Sequence, residues 1–224
     1  MSERWATFDC YGTLVDWNAG IGAVLARVFG EASWERLLQR YHQLEPEVEA
    51  PGQIAYRDVL RLCMEQIALE QRVHLTEEQV DALATSLPGW PVFPEVPDAL
   101  AELRRRGWRL AILSNTDSDL IEASKARIGV PFDLTVVAEE VGSYKPAHGH
   151  WRTFFEQSGV DPSRMVHVAA SHFHDVVPAT ELGLPIVWVN RLAETAEPAP
   201  TREIPDLTPL PDLVDELLPA EGRG

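Results

Sequence analysis

The chain has 224 residues, 45% apolar and 24% charged, with 19 Lys and Arg against 35 Asp and Glu for a net charge of −16. That length fits one domain carrying a sizeable insertion, and that composition excludes a collagen, a coiled coil or a wholly disordered chain. The acidic field disfavours nucleic acid and membrane surfaces as partners, yet one or two cations inside a pocket outweigh it locally, so a small anionic substrate stays open.

No run approaches the roughly 18 apolar residues of a membrane span. The segment MSERWATFDC lacks the apolar core of a signal peptide. Cys10 and Cys63 show no CxxC or Cys/His spacing. They are expected to be free thiols in a reducing, cytoplasmic setting.

In chain order, Arg4–Asp9 reads as a buried strand ending in a turn at Gly12. From Ile21 to Leu87 there is no strand signal and about four helical patterns. Ile21, Val24, Leu25, Val28 and Phe29 repeat at helical spacing, as do Val59, Leu60, Cys63, Met64 and Ile67. Thr76 and Gln79 form a capping box. The stretch LPGWPVFPEVP reads as the return linker.

Strand signals then recur at Trp108–Ser114, Leu134–Ala138, Met165–Ala170 and Pro185–Asn190, separated by helical patterns that stop at Gly107, Gly129, Gly159 and Gly183. Alternating strands and helices predict an α/β class: a Rossmann-like, three-layer parallel-sheet core with a helical cap domain inserted after the first strand. Residues 1–16 and 93–224 are expected to form the core and 17–92 the cap. Beyond Arg191 only Pro211–Leu218 looks helical, and the rest of the tail reads as a surface strap or disordered.

Open parallel sheets bind ligands beyond the carboxyl ends of their strands. Asp9, Ser114, Asn115, Lys145, His172 and Asp175 all fall there. Each alone has a plain reading as a cap or turn residue; their joint occurrence in this order is harder to dismiss. In SWERLLQRYHQL, Leu37, Arg40, Tyr41 and Leu44 share a helical stripe. An arginine there either snorkels to water or points at an anion. Trp17 and Tyr41 are candidates to line a cavity. Cys10 reads as a small residue beside Asp9, His148 and His150 as solvated loop residues, and Glu45–Glu49 as a solvated acidic face.

FDCYGTLVDW, LAILSN, GSYKP and the HD of SHFHD, in that order, resemble the four motifs of the haloacid dehalogenase superfamily over roughly residues 4–191. The resemblance implies a nucleophile at Asp9 that forms a covalent ester, with Thr13 and Ser114 nearby, Lys145 as a cationic anchor and Asp175 as the second acid. Phosphatases of the superfamily carry a proton-donating Asp two residues after the nucleophile; here Tyr11 stands there. A halide needs no proton to depart, whereas an alkoxide does. In the fourth motif Ala170-Ser171 replaces a Gly-Asp that helps hold Mg²⁺, so no metal and no other cofactor is expected.

The chain thus resembles the L-2-haloacid dehalogenases, which implies a small-molecule haloacid substrate, with Tyr11 at its site and Arg40 and Asn115 holding the departing halide. His172, Trp151 and His174 depart from that pattern. A Mg²⁺-dependent phosphatase or phosphonatase and a non-catalytic metabolite-binding member are the alternatives. The helical insertion has more apolar positions than one pocket requires, which makes a homodimer surface conceivable.

Overall fold

The computed structural model describes residues 3–50 and 54–220. The expected domain ends at 1–2 and 221–224 lie outside them. In chain order the elements are β1 (Arg4–Phe8), α1 (Trp17–Phe29), α2 (Trp34–Glu49), α3 (Tyr56–Gln71), α4 (Glu77–Val80), α5 (Ala82–Ser86), α6 (Val96–Arg105), β2 (Trp108–Ser114), α7 (Ser118–Ile128), β3 (Leu134–Val137), α8 (Ala138–Val141), α9 (Gly149–Ser158), β4 (Met165–Ala169), α10 (Val177–Glu181), β5 (Ile186–Val189), β6 (Arg202–Ile204) and α11 (Leu210–Leu217).

The β-branched and Leu-rich runs become strands because helices cover both of their faces. All six are parallel, in the order β3-β2-β1-β4-β5-β6. The order reverses between β1 and β4, so the chain crosses from one half of the sheet to the other beside the carboxyl end of β1. That is where a ligand crevice opens in such sheets. Between β1 and β2 the regular elements among the described residues are all helical, and the β pairing there is limited to isolated bridges of Val15 with Tyr11 and Val92. The α/β core with its inserted helical cap is therefore as expected.

Three elements differ from the sequence reading. The capping box at Thr76 and Gln79 is formed in both directions, but the helix it opens breaks into α4, α5 and a 3₁₀ turn at Leu87–Gly89. The helix after β4 starts with a wide π turn over His172–Val176, opened by Ser171 Oγ accepting from the His174 amide. The C-terminal tail is no loose strap: β6 adds to the sheet edge, and the Asn190 amide donates to Ile204 O. Three residues, two of them charged, are too short and too polar to signal a strand.

The stripe α2 buries is Leu37, Tyr41, Leu44, Glu45 and Glu49. Arg40 lies on its flank. This helix forms the roof over the carboxyl end of β1, and it turns two carboxylates rather than an arginine inward.

Candidate active site

The residue after β1 is Asp9. Its carboxylate is almost wholly buried and held from two sides. The Thr13 hydroxyl donates to Oδ2 at 2.9 Å and Lys145 Nζ donates to Oδ1 at 2.9 Å. Thr13 in turn accepts from the Ala170 amide at 2.8 Å, which ties the loop after Asp9 to the end of β4. The loop turns at Gly12 with φ of +90°, where a Cβ would also meet the Trp17 indole nitrogen at 3.2 Å. Only glycine fits that turn without strain.

Lys145 is the charge centre of the floor. Its Nζ donates to Asp9 Oδ1, to Leu113 O at 2.9 Å and to Asp175 Oδ1 at 2.7 Å. An ammonium has three protons, so all are committed within the protein. A fully buried lysine would ordinarily lose its proton, but the two carboxylates at contact distance hold it above its usual range. Burial and Asp175 push Asp9 above the ordinary carboxylate range, while Lys145 and Thr13 pull against them. Asp175 is also buried, yet Lys145 and His167 hold it down at about 2. His167 on β4 bridges Thr7 Oγ1 (2.8 Å) and Asp175 Oδ1 (2.9 Å).

Asn115 fixes the lysine segment. Its Oδ1 accepts from the Lys145 amide at 2.7 Å, and its Nδ2 donates to Lys145 O at 3.0 Å and Glu49 Oε2 at 3.3 Å. The small cavity these groups line has a volume of about 60 Å³, with Asp9, Ser114, Lys145 and Asp175 in its floor and Glu45, Glu49 and Tyr56 brought over it by the cap. A larger cavity of about 580 Å³ adjoins it, sharing Tyr11, Trp17 and Ser171.

Tyr11 lines the cavity with its ring stacked on Tyr56, while its hydroxyl pairs with Ser124 Oγ at 3.1 Å. Burial drives its pKa above the ordinary phenol range, so it supplies no acid. Cys10 is fully buried and lies outside the cavity wall, as free as expected. Tyr41 stands one layer back, edge-on to Trp17, and its hydroxyl donates to Glu45 Oε1.

Four expectations are corrected. Arg40 does not reach the cavity; its guanidinium lies on the cap surface, paired with the Glu70 carboxylate through Nε and Nη2 and bonded to Gln43. A surface carboxylate on α3 costs this guanidinium far less desolvation than the roof would. His172 turns away from Asp9, bonds Pro198 O at 2.9 Å and packs edge-on to Trp188. His150 is no loop residue: it is fully buried beneath the floor on Ser114 O, and burial and Lys145 lower its pKa to about 3. Glu45 and Glu49 form no solvated face but are buried against the site.

Sequence reasoning missed Glu45, Glu49 and Tyr56 as site residues, and named His174 only as a departure from the family pattern; His174 lines the cavity. Burial, with Glu49 nearby, raises Glu45 to about 8, and the Tyr41 and Tyr56 hydroxyls both donate to it. Burial raises Glu49 as well. Glu45 and Glu49 are four apart and continue the stripe of Leu37, Tyr41 and Leu44, so helical spacing carried the signal. Among the described residues, no group of three or more His, Cys, Asp or Glu side chains is placed to hold a metal ion, and no helix is long and apolar enough to cross a membrane.

A buried carboxylate beyond β1, a lysine bridging it to a second carboxylate beyond β4, and a helical roof make up the candidate active site of a hydrolase. The chain belongs to the haloacid dehalogenase-like hydrolase family, whose model matches residues 4–183. Relatives include an (S)-2-haloacid dehalogenase of Pseudomonas sp. (strain YL), 31% identical over 199 residues covering 85% of this chain and 84% of the relative. A phosphoserine phosphatase of Thermus thermophilus is 31% identical over 189 residues, covering 81% of this chain and 74% of the relative. The fold superposes on the L-2-haloacid dehalogenase of Xanthobacter autotrophicus with chloropropionic acid covalently bound, with a TM-score of 0.84 at 23% identity, over 95% of this chain and 98% of that one.

Proposed function

We propose that the chain hydrolyses short 2-haloalkanoic acids to 2-hydroxyalkanoic acids through a covalent ester on Asp9, without a metal. The observation that carries this reading is the environment of Asp9: a carboxylate oriented by Thr13 and Lys145, with Tyr11 in place of a proton-donating acid two residues on and its hydroxyl turned to Ser124. The (S)-2-haloacid dehalogenases among the relatives support it.

In this mechanism the substrate carboxylate sits at the Ser114 hydroxyl, which is buried and has no partner within the protein, and at backbone N–H groups near the start of α7. Lys145 does not hold it, because its protons are committed. An Asp9 oxygen attacks C2 on the side opposite the halogen. The C–halogen bond breaks, its electron pair leaves with the halide, and the carbon inverts. Water then attacks the Asp9 carboxyl carbon. Asp175 Oδ2, also buried and without a partner, accepts the water proton. The bond between that carbon and the ester oxygen breaks, the departing oxygen takes the proton back from Asp175, and Asp9 releases its remaining proton to solvent, so the product hydroxyl keeps an oxygen of Asp9.

Lys145 supplies the charge that otherwise calls for a cation beside the two carboxylates, and Ala170 offers no further ligand. The donor set therefore does not fit a Mg²⁺ site. A phosphatase or phosphonatase is the second reading, favoured by the acidic roof of Glu45 and Glu49, which offers protons that Tyr11 does not. Halide release from chloroacetate and phosphate release from an aryl phosphate, each with and without EDTA, separate the two. EDTA-sensitive phosphate release without halide release refutes the haloacid reading. A non-catalytic, metabolite-binding chain would show no turnover in wild type or in Asp9→Asn. The homodimer is proposed on Leu62 and Leu69, exposed on α3, and Val73, exposed just beyond its end; an unchanged sedimentation coefficient in Leu69→Glu refutes that surface.

A further inference from the structure

In an in-line displacement the departing atom moves away from the attacking oxygen, from the floor at Asp9 toward the roof. It carries a growing negative charge, and a preorganised donor at that point lowers the barrier. With Arg40 tied to Glu70 on the cap surface, the site needs another donor. Asn115 is committed as well, since its two amide protons already serve Glu49 and Lys145 O.

Among the described residues, three buried polar atoms of the cavity have no hydrogen-bond partner: Ser114 Oγ, Asp175 Oδ2 and His174 Nε2. A carboxylate oxygen only accepts, which leaves Ser114 and His174 as donors. Ser114 lies at the end of β2, on the floor. His174 Nε2 lies at roof level, 3.5 Å from Glu49 Oε2 on α2. The imidazole is held in place from behind. Ser171 Oγ accepts from the His174 amide at 3.1 Å and meets Nδ1 at 3.0 Å.

We propose that His174, through its Nε2–H, is the group that receives the departing halide, and thus that the halide site of this chain is an imidazolium on the π turn after β4 instead of an arginine on the cap. The inference rests on the haloacid reading. No proton is transferred: the C–halogen electron pair leaves with the halide, and Nε2–H hydrogen-bonds to it. Glu49 is the countercharge that keeps the ring protonated. Burial acts against the charged ring, but Glu49, Glu45 and Asp175 around it raise its proton affinity above the ordinary histidine range. Lys145 lies across the cavity with its charge already compensated by Asp9 and Asp175.

The test separates binding from turnover. Chloride binding to the full chain is read from ³⁵Cl NMR line broadening, and turnover from halide release on chloroacetate. Wild type is expected to broaden the chloride line, with the effect fading as pH rises through the His174 titration. His174→Phe should bind chloride at least about tenfold more weakly and lose on the order of 10²-fold in kcat, with KM changed by less than about threefold. His174→Gln, which keeps a neutral donor, should fall between the two and lose the pH dependence.

Far-UV circular dichroism and Tm establish that each variant is folded. No chloride binding by wild type, or undiminished binding and kcat in folded His174→Phe, overturns the proposal. Chloride bound through His174 in a wild type that dehalogenates no haloacid upholds the halide site while sinking the haloacid reading.

Discussion

Asp117 offers a sharp test of how the cap is seated. It occupies the residue before α7 but makes no side-chain bond to that helix; the Ser118 amide is served by Glu139 instead. The Asp117 carboxylate, almost fully buried, reaches up to the first turn of α3. It accepts from the Tyr56 amide at 2.7 Å and the Arg57 amide at 3.1 Å. α3 has no capping side chain of its own, since Ala55 precedes it. A core carboxylate therefore caps a cap helix. Asp117→Ala removes that cap at a cost of ~1–2 kcal/mol. At about 2–4 °C per kcal/mol for a chain of this length, Tm should drop by about 2–8 °C. Asn keeps one acceptor oxygen and should recover part of the loss. Tyr56 also lines the cavity and donates to Glu45 at 2.8 Å, so Asp117→Ala should raise KM for the haloacid as the roof loosens. Scanning calorimetry and steady-state halide release measure both. A Tm within 1 °C of wild type with unchanged KM would refute the idea that Asp117 seats the cap.

Four further outcomes follow from the site. Asp9→Asn should lower halide release to below about 10⁻³ of wild type; in single turnover with H₂¹⁸O, wild-type label should enter Asp9 before product, and immediate labelling of product would exclude the ester. Arg40→Ala should keep halide release within about threefold, because it breaks a surface pair; a loss of about 10²-fold in a folded variant would mean that Arg40 swings into the cavity. Glu45, neutral in the fold until about pH 8 and ionised above its ordinary range in the unfolded chain, favours folding fully only below pH ~4.5 and loses that contribution as pH rises through about 8. Glu45→Gln should therefore flatten the fall of Tm across that window, and an identical Tm profile would contradict its burial as a neutral acid. Asp175 runs the other way: held at about 2, it stabilises above its unfolded range near 4, and that contribution fades as pH drops toward 2, which Asp175→Asn should abolish in acid unfolding.

Why some of this was legible in the sequence and some was not follows from range. The strands and their glycine stops announce themselves locally, because a doubly covered strand is apolar along its length and a positive φ calls for glycine. The floor of the site was legible for the same reason: Asp9 and Ser114 sit at strand ends, Asp175 in the turn that follows β4, and Thr13 is four residues from the carboxylate it touches. The roof was not, because which face of α2 turns inward depends on what it meets. Leu37, Arg40, Tyr41 and Leu44 make an apolar stripe with an arginine in it; Leu37, Tyr41, Leu44, Glu45 and Glu49 make one equally well, shifted by a fraction of a turn. Glu70 on α3 decides between them by pairing with Arg40 at the surface, and it lies thirty residues away. Once Arg40 is outside, α2 brings no cation to the roof, and the basic side chain that meets Glu49 is His174 on the opposite domain. The fourth-motif departure at His174 and the outward position of Arg40 thus bear on the same proposal, in which the positive charge over Asp9 comes from the π turn after β4 and not from the cap helix.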